Sequence, residues 1–200
     1  GDKYTDLETN FSSDIPLTTA EKAIYSGYFQ GIDDADAQIE RLVTYFEESS
    51  EPVILVFFGD HLPGFTNGTT YFTQFRNDID MNGSIEQQIK AYETPYFIWA
   101  NEATRKAIDF DENLKSIELP SNHIISSSFL GATLMELIGM GNISPFINYV
   151  NEIRRVMPVA AGNAIMTKNG LITTNINLDE QSALDKYSKW IYYKLFNDNK

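Results

Sequence analysis

The run VILVFFGDHLP (residues 53–63) sets the residue types best able to do chemistry side by side, Asp60 and His61 directly behind Gly59. A carboxylate oxygen and an imidazole nitrogen together can hold a divalent metal, and that donor pair suits Zn²⁺ or Mn²⁺ better than Ca²⁺. Neighbours in a regular strand point to opposite faces. Both side chains therefore reach one ion only if the chain turns here, and Gly59 is expected to permit that turn. A structural reading competes, in which Asp60 caps the next turn and His61 packs on an aromatic ring. Two adjacent residues leave both readings open.

The other candidates favour plainer roles. His123, the second of two histidines, lies in LPSNHIISS just before a helix and reads as a loop residue sooner than as a ligand. Asp33, Asp34 and Asp36 cluster on a helix and read as a solvated face sooner than as a cation site. Arg154 and Arg155 could meet a lipid phosphate, but a charged helix surface is the expected reading. Tyr71, Phe72 and Phe75, in the loop after the Asp-His pair, serve equally well as a wall beside a substrate or as loop packing.

Positioning those residues requires a layered fold. Apolar residues at 24, 28, 32, 35, 39, 42 and 46 recur at helical spacing, and Thr18 with Glu21 has the spacing of a capping box. The apolar Val53–Phe58 run follows, and an unbroken apolar strand is expected to be buried on both faces. TPYFIWAN (94–101) reads as a second buried strand and SIEQQIKAYE as a short helix. SSSFLGATLMELIGMG is a helix begun by serine caps and ended at Gly139 or Gly141. SPFINYVNEIRRVMP starts a helix with Ser144 as cap and Pro145 behind it. AIMTKNGLITT predicts a hairpin on a two-residue Asn169-Gly170 turn. DEQSALDKYSKWIYYKLF predicts a closing amphipathic helix. The fold class expected is α/β, part of a mainly parallel sheet with helices, over residues 1–144, with a small α+β subdomain of helix, hairpin and helix at 145–200.

Two hundred residues with 42% hydrophobic and 13% aromatic content describe a globular chain. A net charge of −13 argues against nucleic acid as partner, since phosphate backbones select clustered Lys and Arg. With no cysteine there is neither a disulfide framework nor a thiolate metal site. No apolar run approaches the ~18 residues that span a bilayer. The opening GDKYTDLETNFSSD has no signal-peptide pattern and no initiator Met, so a longer parent protein is expected.

VILVFFGDHLP, ETPYFIWAN and SSSFLGATLMELIGM, in that order, resemble consecutive blocks of the lipoteichoic acid synthase family, sulfatase-like members of the alkaline phosphatase superfamily. The tail, FINYVNEIRRVMPVAAGNAIMTKNG through LDKYSKWIYYKLF, resembles the end of such proteins, and the resemblance covers roughly residues 20 to 198. It implies a membrane-anchored parent at the extracellular face of a bacterial membrane. That parent would transfer glycerol phosphate from a phosphatidylglycerol-like lipid to a polymer through a threonine-bound intermediate. It further implies one divalent metal, Mn²⁺ first with Mg²⁺ or Zn²⁺ as alternatives, held in part by Asp60 and His61. The family's nucleophilic threonine and remaining acid have no counterpart in residues 1–20, because Asp2, Asp6, Glu8 and Thr9 lack a strand-then-helix setting. The chain is accordingly expected to hold two metal ligands and no catalytic nucleophile, to be inactive alone, and to cover an open sheet edge by self-association. The alternatives are a sulfatase, another phospho-headgroup transferase, or a noncatalytic envelope-binding domain.

Overall fold

A computed structural model of the chain describes residues 13–64, 75–76, 78–162 and 164–196. The residues divide into two compact units, Gly1–Asp80 with Thr94–Thr104, and Met81–Glu93 with Arg105–Lys200.

The first unit holds α1 (Thr19–Glu47), β1 (Ile54–Phe58) and β2 (Tyr96–Ala100). The capping box closes as expected: the Glu21 amide donates to Thr18 Oγ1 at 3.2 Å and the Thr18 amide to Glu21 Oε2 at 2.8 Å. Only Tyr25 and Ser26 of α1 are buried. Its apolar stripe is half covered, with Ile32 and Leu42 exposed.

β1 and β2 pair antiparallel, Ile54 opposite Ala100 through Phe58 opposite Tyr96, in a two-stranded sheet. Phe57 and Phe97 stack across it with ring centroids 5.4 Å apart. This corrects the expected setting of β1 within a mainly parallel sheet: its pairing among the described residues is antiparallel, and its residues are half-buried or exposed. An apolar run registers a demand for dry neighbours but names no partner. The connection from Phe58 to Tyr96 is long enough to return the chain in either direction.

Asn101 ties this unit together. Its side chain is buried, accepts from the amides of Val53 (3.1 Å) and Thr104 (2.9 Å), and donates to the carbonyls of Phe46, Ser49 and Glu51. One amide group thereby joins the end of α1, the start of β1 and the end of β2.

The second unit contains α2 (Ile85–Lys90), α4 (Phe110–Ser116), α5 (Ser127–Leu137), α6 (Pro145–Val156) and α7 (Leu178–Phe196), with α3 (Glu102–Ala107) leading into it. β3 (Val159–Ala161), β4 (Ala164–Met166) and β5 (Ile172–Thr173) form an antiparallel sheet in that order. Its core joins Phe129 and Ala132 of α5, Val150 and Ile153 of α6, Met157 and Ile165, with Ala183, Leu184 and Tyr187 of α7 packed against them. The α5–α6 packing crosses residue 144, the boundary expected from the sequence. α5 ends at Gly139 (φ 78°), whose amide donates to the Glu136 carbonyl while that of Met140 reaches Met135. Ser126 makes no side-chain cap; its hydroxyl accepts from the Ala160 amide at 2.9 Å and fastens α5 to β3.

The hairpin forms, but not on the expected turn. The Thr167 amide donates to the Leu171 carbonyl at 2.9 Å across a three-residue loop of residues 168–170, and the Gly170 amide donates to the Thr167 carbonyl at 2.9 Å. Gly170 has φ 79° and Asn169 lacks the positive φ of a two-residue type I′ turn. A type I turn followed by a left-handed glycine is the three-residue solution, and Asn-Gly serves it equally well.

Candidate metal-binding strand end

β1 delivers Gly59, Asp60 and His61 at its carboxyl end. The ladder continues one step past the strand, the Gly59 amide donating to the Pro95 carbonyl at 2.9 Å. From the other side, the Thr94 hydroxyl donates to the Gly59 carbonyl at 2.8 Å. A Cβ at Gly59 would lie 3.0 Å from Thr94 Cβ. Glycine is needed here for close approach of two chain segments, and its φ is not in the left-handed region, which corrects the turn-permitting role expected of it.

Beyond this anchor the two side chains fold onto each other. The His61 amide donates to Asp60 Oδ1 at 2.9 Å. The His61 ring lies with Nδ1 2.7 Å from the Leu62 carbonyl. A carbonyl only accepts, so Nδ1 carries a hydrogen, and in the neutral ring Nε2 keeps its lone pair. That Nε2 lies 3.4 Å from Asp60 Oδ2, and both side chains are largely exposed. An imidazole nitrogen with a lone pair and a carboxylate oxygen thus lie side by side, open to solvent. This is the donor chemistry of a Zn²⁺ or Mn²⁺ site with two protein ligands. Among the described residues no group of three or more His, Asp or Glu side chains gathers to complete it.

His123 belongs to the second unit, on the loop before α5, with φ 55°. Asp33 and Asp36 are exposed on α1. Phe75 meets Tyr25 edge-on with centroids 4.9 Å apart; Tyr71 and Phe72 lie outside the described residues, as do Asp2, Asp6, Glu8 and Thr9.

Arg154 overturns the expectation of a charged helix surface. Its side chain is 0% exposed, ion-pairs with Glu136 of α5, and donates to the Glu118 carbonyl at 2.9 Å. Arg155 pairs with the same carboxylate. Burial pulls the Arg154 guanidinium below its ordinary range, partly offset by Glu136. The signal was in the period: Val150, Ile153, Arg154 and Met157 share one helical stripe, so the arginine stands in an apolar row. Asn101, which positions the start of β1, left no signal beyond being a polar residue at a strand end.

The Sulfatase family model matches residues 2–140. A protein of Rhizobium meliloti (strain 1021), provisionally named a cyclic beta-1,2-glucan modification protein, is 28% identical over 106 residues. That match takes in 52% of this chain and 16% of the relative, so the chain spans a small part of that protein's length. No solved structure matches the chain. The family match covers well over half of the chain, including β1, the Asp60-His61 pair and α5, and the chain belongs to the Sulfatase family.

Proposed function

We propose that the protein containing this chain is a metal-dependent phosphotransferase or hydrolase acting on a cell-envelope polymer, with Asp60 and His61 supplying part of the metal site. The observation that carries this reading is the adjacency of His61 Nε2 and Asp60 Oδ2, 3.4 Å apart, at the end of an anchored strand. Members of the Sulfatase family generally use a divalent metal, which supports the assignment. Bound there, a divalent cation would polarise a phosphoryl oxygen and ease deprotonation of an attacking hydroxyl.

The chain's own contribution is positioning. The Leu62 carbonyl holds the imidazole in the tautomer that offers Nε2, and the His61 amide orients the carboxylate. Thr94 and Pro95 fix Gly59, the residue directly before the two ligands. The nucleophile, a threonine in the resemblance above, is assigned to no residue of this chain. The ordered blocks shared with lipoteichoic acid synthases favour a glycerol-phosphate donor such as phosphatidylglycerol and an extracellular, membrane-anchored parent. The relative named for glucan modification favours a carbohydrate acceptor.

The test is to supply the full-length protein with Mn²⁺ and either a fluorescent phosphatidylglycerol or an aryl sulfate. Release of diacylglycerol, lowered at least about a hundredfold in D60A and H61A, is the expected result, since Lewis-acid stabilisation is worth several kcal/mol. Sulfate release without diacylglycerol moves the reading to a sulfatase. Near-normal turnover in both variants removes the pair from the metal site.

A further inference from the structure

Inside the second unit, α6 carries two side chains whose hydrogen bonding is unfinished. Arg154 is 0% exposed and Asn151 1% exposed. A guanidinium offers five N–H donors. Arg154 uses Nη1 on the Glu118 carbonyl at 2.9 Å and Nη2 on the Glu136 carboxylate, but its Nε–H finds no acceptor among the described residues. Asn151 is further from satisfied, because neither its amide nitrogen nor its amide oxygen has a partner among them. Buried polar groups are paired in the great majority of cases, so each of these atoms requires a physical account.

Helix geometry brings the two residues together. Asn151 precedes Arg154 by three positions and Arg155 by four, and side chains at those spacings are neighbours on a helix surface. Both arginines already take Glu136, one on each carboxylate oxygen. Two positive charges against one negative charge keep a cation out. A small anion could accept from Arg154 Nε–H and Asn151 Nδ2–H, but Asn151 Oδ1 needs a donor, and an anion has none to give. Water meets every demand. Its oxygen accepts from both N–H groups while one of its hydrogens goes to Oδ1, the ring that a primary amide closes with a single water. Three bonds are the usual complement of an internal water.

We propose that Asn151 and Arg154 together bind one structural water inside the second unit, beside the Arg154–Glu136 ion pair. Asn151 holds the water and the water completes the bonding of the guanidinium. A polar side chain at a 1% exposed position thereby gains a purpose, since it returns hydration to a charge that the fold has taken out of solvent. Burial draws the Arg154 guanidinium below its ordinary range, and this is the loss that a bonded water offsets in part. The site stands on α6 and does not depend on the chemistry assigned to Asp60 and His61.

The test is water-to-protein Overhauser spectroscopy on the isotope-labelled 200-residue chain, with rotating-frame spectra to separate bound water from hydrogen exchange by sign. The Asn151 Nδ2 and Arg154 Nε hydrogens should both show cross peaks at the water frequency. Asn101 is the control: its Nδ2 hydrogens already donate to the carbonyls of Phe46, Ser49 and Glu51, and should show none. In N151L the Arg154 peak should vanish, because the water loses two of its three bonds, and the urea midpoint should fall. Peaks missing from the unmodified chain, or present at only one of the two residues, overturn the proposal. So does an Arg154 peak that survives in N151L, or a urea midpoint that rises there, since removing dry unpaired atoms stabilises. Resonance shifts at both residues that saturate with added chloride, without water peaks, also overturn it and give the place to an anion.

Discussion

Replacing Gly59 by alanine tests how the strand end is held. The added Cβ arrives 3.0 Å from Thr94 Cβ, inside ordinary contact distance, and at an ordinary 3.5 Å from Pro95 Cδ. Thr94 Cβ is bonded to the backbone and cannot swing aside, and its segment is bound to Gly59 by two hydrogen bonds. The two chain segments must therefore ease apart by a few tenths of an ångström. Overpacking of this kind costs about 1–3 kcal/mol. Alanine recovers about 0.4–1 kcal/mol by restricting the unfolded chain, since no left-handed φ is demanded at Gly59. The net expectation is a loss of about 1–2 kcal/mol. Gly31 in α1 is the control, because a Cβ there meets nothing within 4 Å. The same substitution in that helix should stabilise by about 1 kcal/mol. Urea unfolding followed through Trp99, which pairs with Leu55 across the sheet, measures both variants in a W190F background. G59A as stable as its parent, or G31A destabilised as much as G59A, would refute the close-approach argument.

Asn101→Ala should cost about 3–4 kcal/mol, because it strands several buried backbone groups at once; hydrogen exchange should show the Val53 amide losing protection first. Glu136→Gln leaves Arg154 charged and buried and should cost about 3 kcal/mol in denaturant titration. Arg155→Ala removes a partly exposed partner of the same carboxylate and should cost less than about 1 kcal/mol; equal costs would mean that burial of Arg154 is not what matters. Gly170→Ala should lower stability by about 1 kcal/mol or more through its φ of 79°, whereas Asn169→Ala should be close to neutral. A large loss at Asn169 would restore the two-residue turn.

Local elements were legible where the determinant is local. Thr18 with Glu21, and Ser144 before Pro145, each mark a helix start, because a cap is decided by residues close along the chain. The apolar runs of β1 and β2 are strands, and Asn169-Gly170 marks a hairpin, for the same reason. Asp60 and His61 could be singled out from residue type and place after an apolar run. The ordered blocks around them carried the resemblance to sulfatase-like enzymes, a membership that the family match then showed.

What the chain could not declare locally is who meets whom. Burial demand at Val53–Phe58 is written in its side chains, but the antiparallel partner, beginning at Tyr96, is chosen by the competition of every apolar surface for dry neighbours. The same competition draws Arg154 inward with Glu136 and Glu118, turns Ser126 from cap to strand clasp, and gives Asn101 three segments to bind. Gly59 shows the difference most plainly. Its sequence neighbours suggest a turn, while the contact that demands glycine comes from Thr94, and only packing brings that atom within 3.0 Å. Short-range hydrogen bonds are set by spacing along the chain, whereas contacts at van der Waals distance across it exist only once the whole unit has closed.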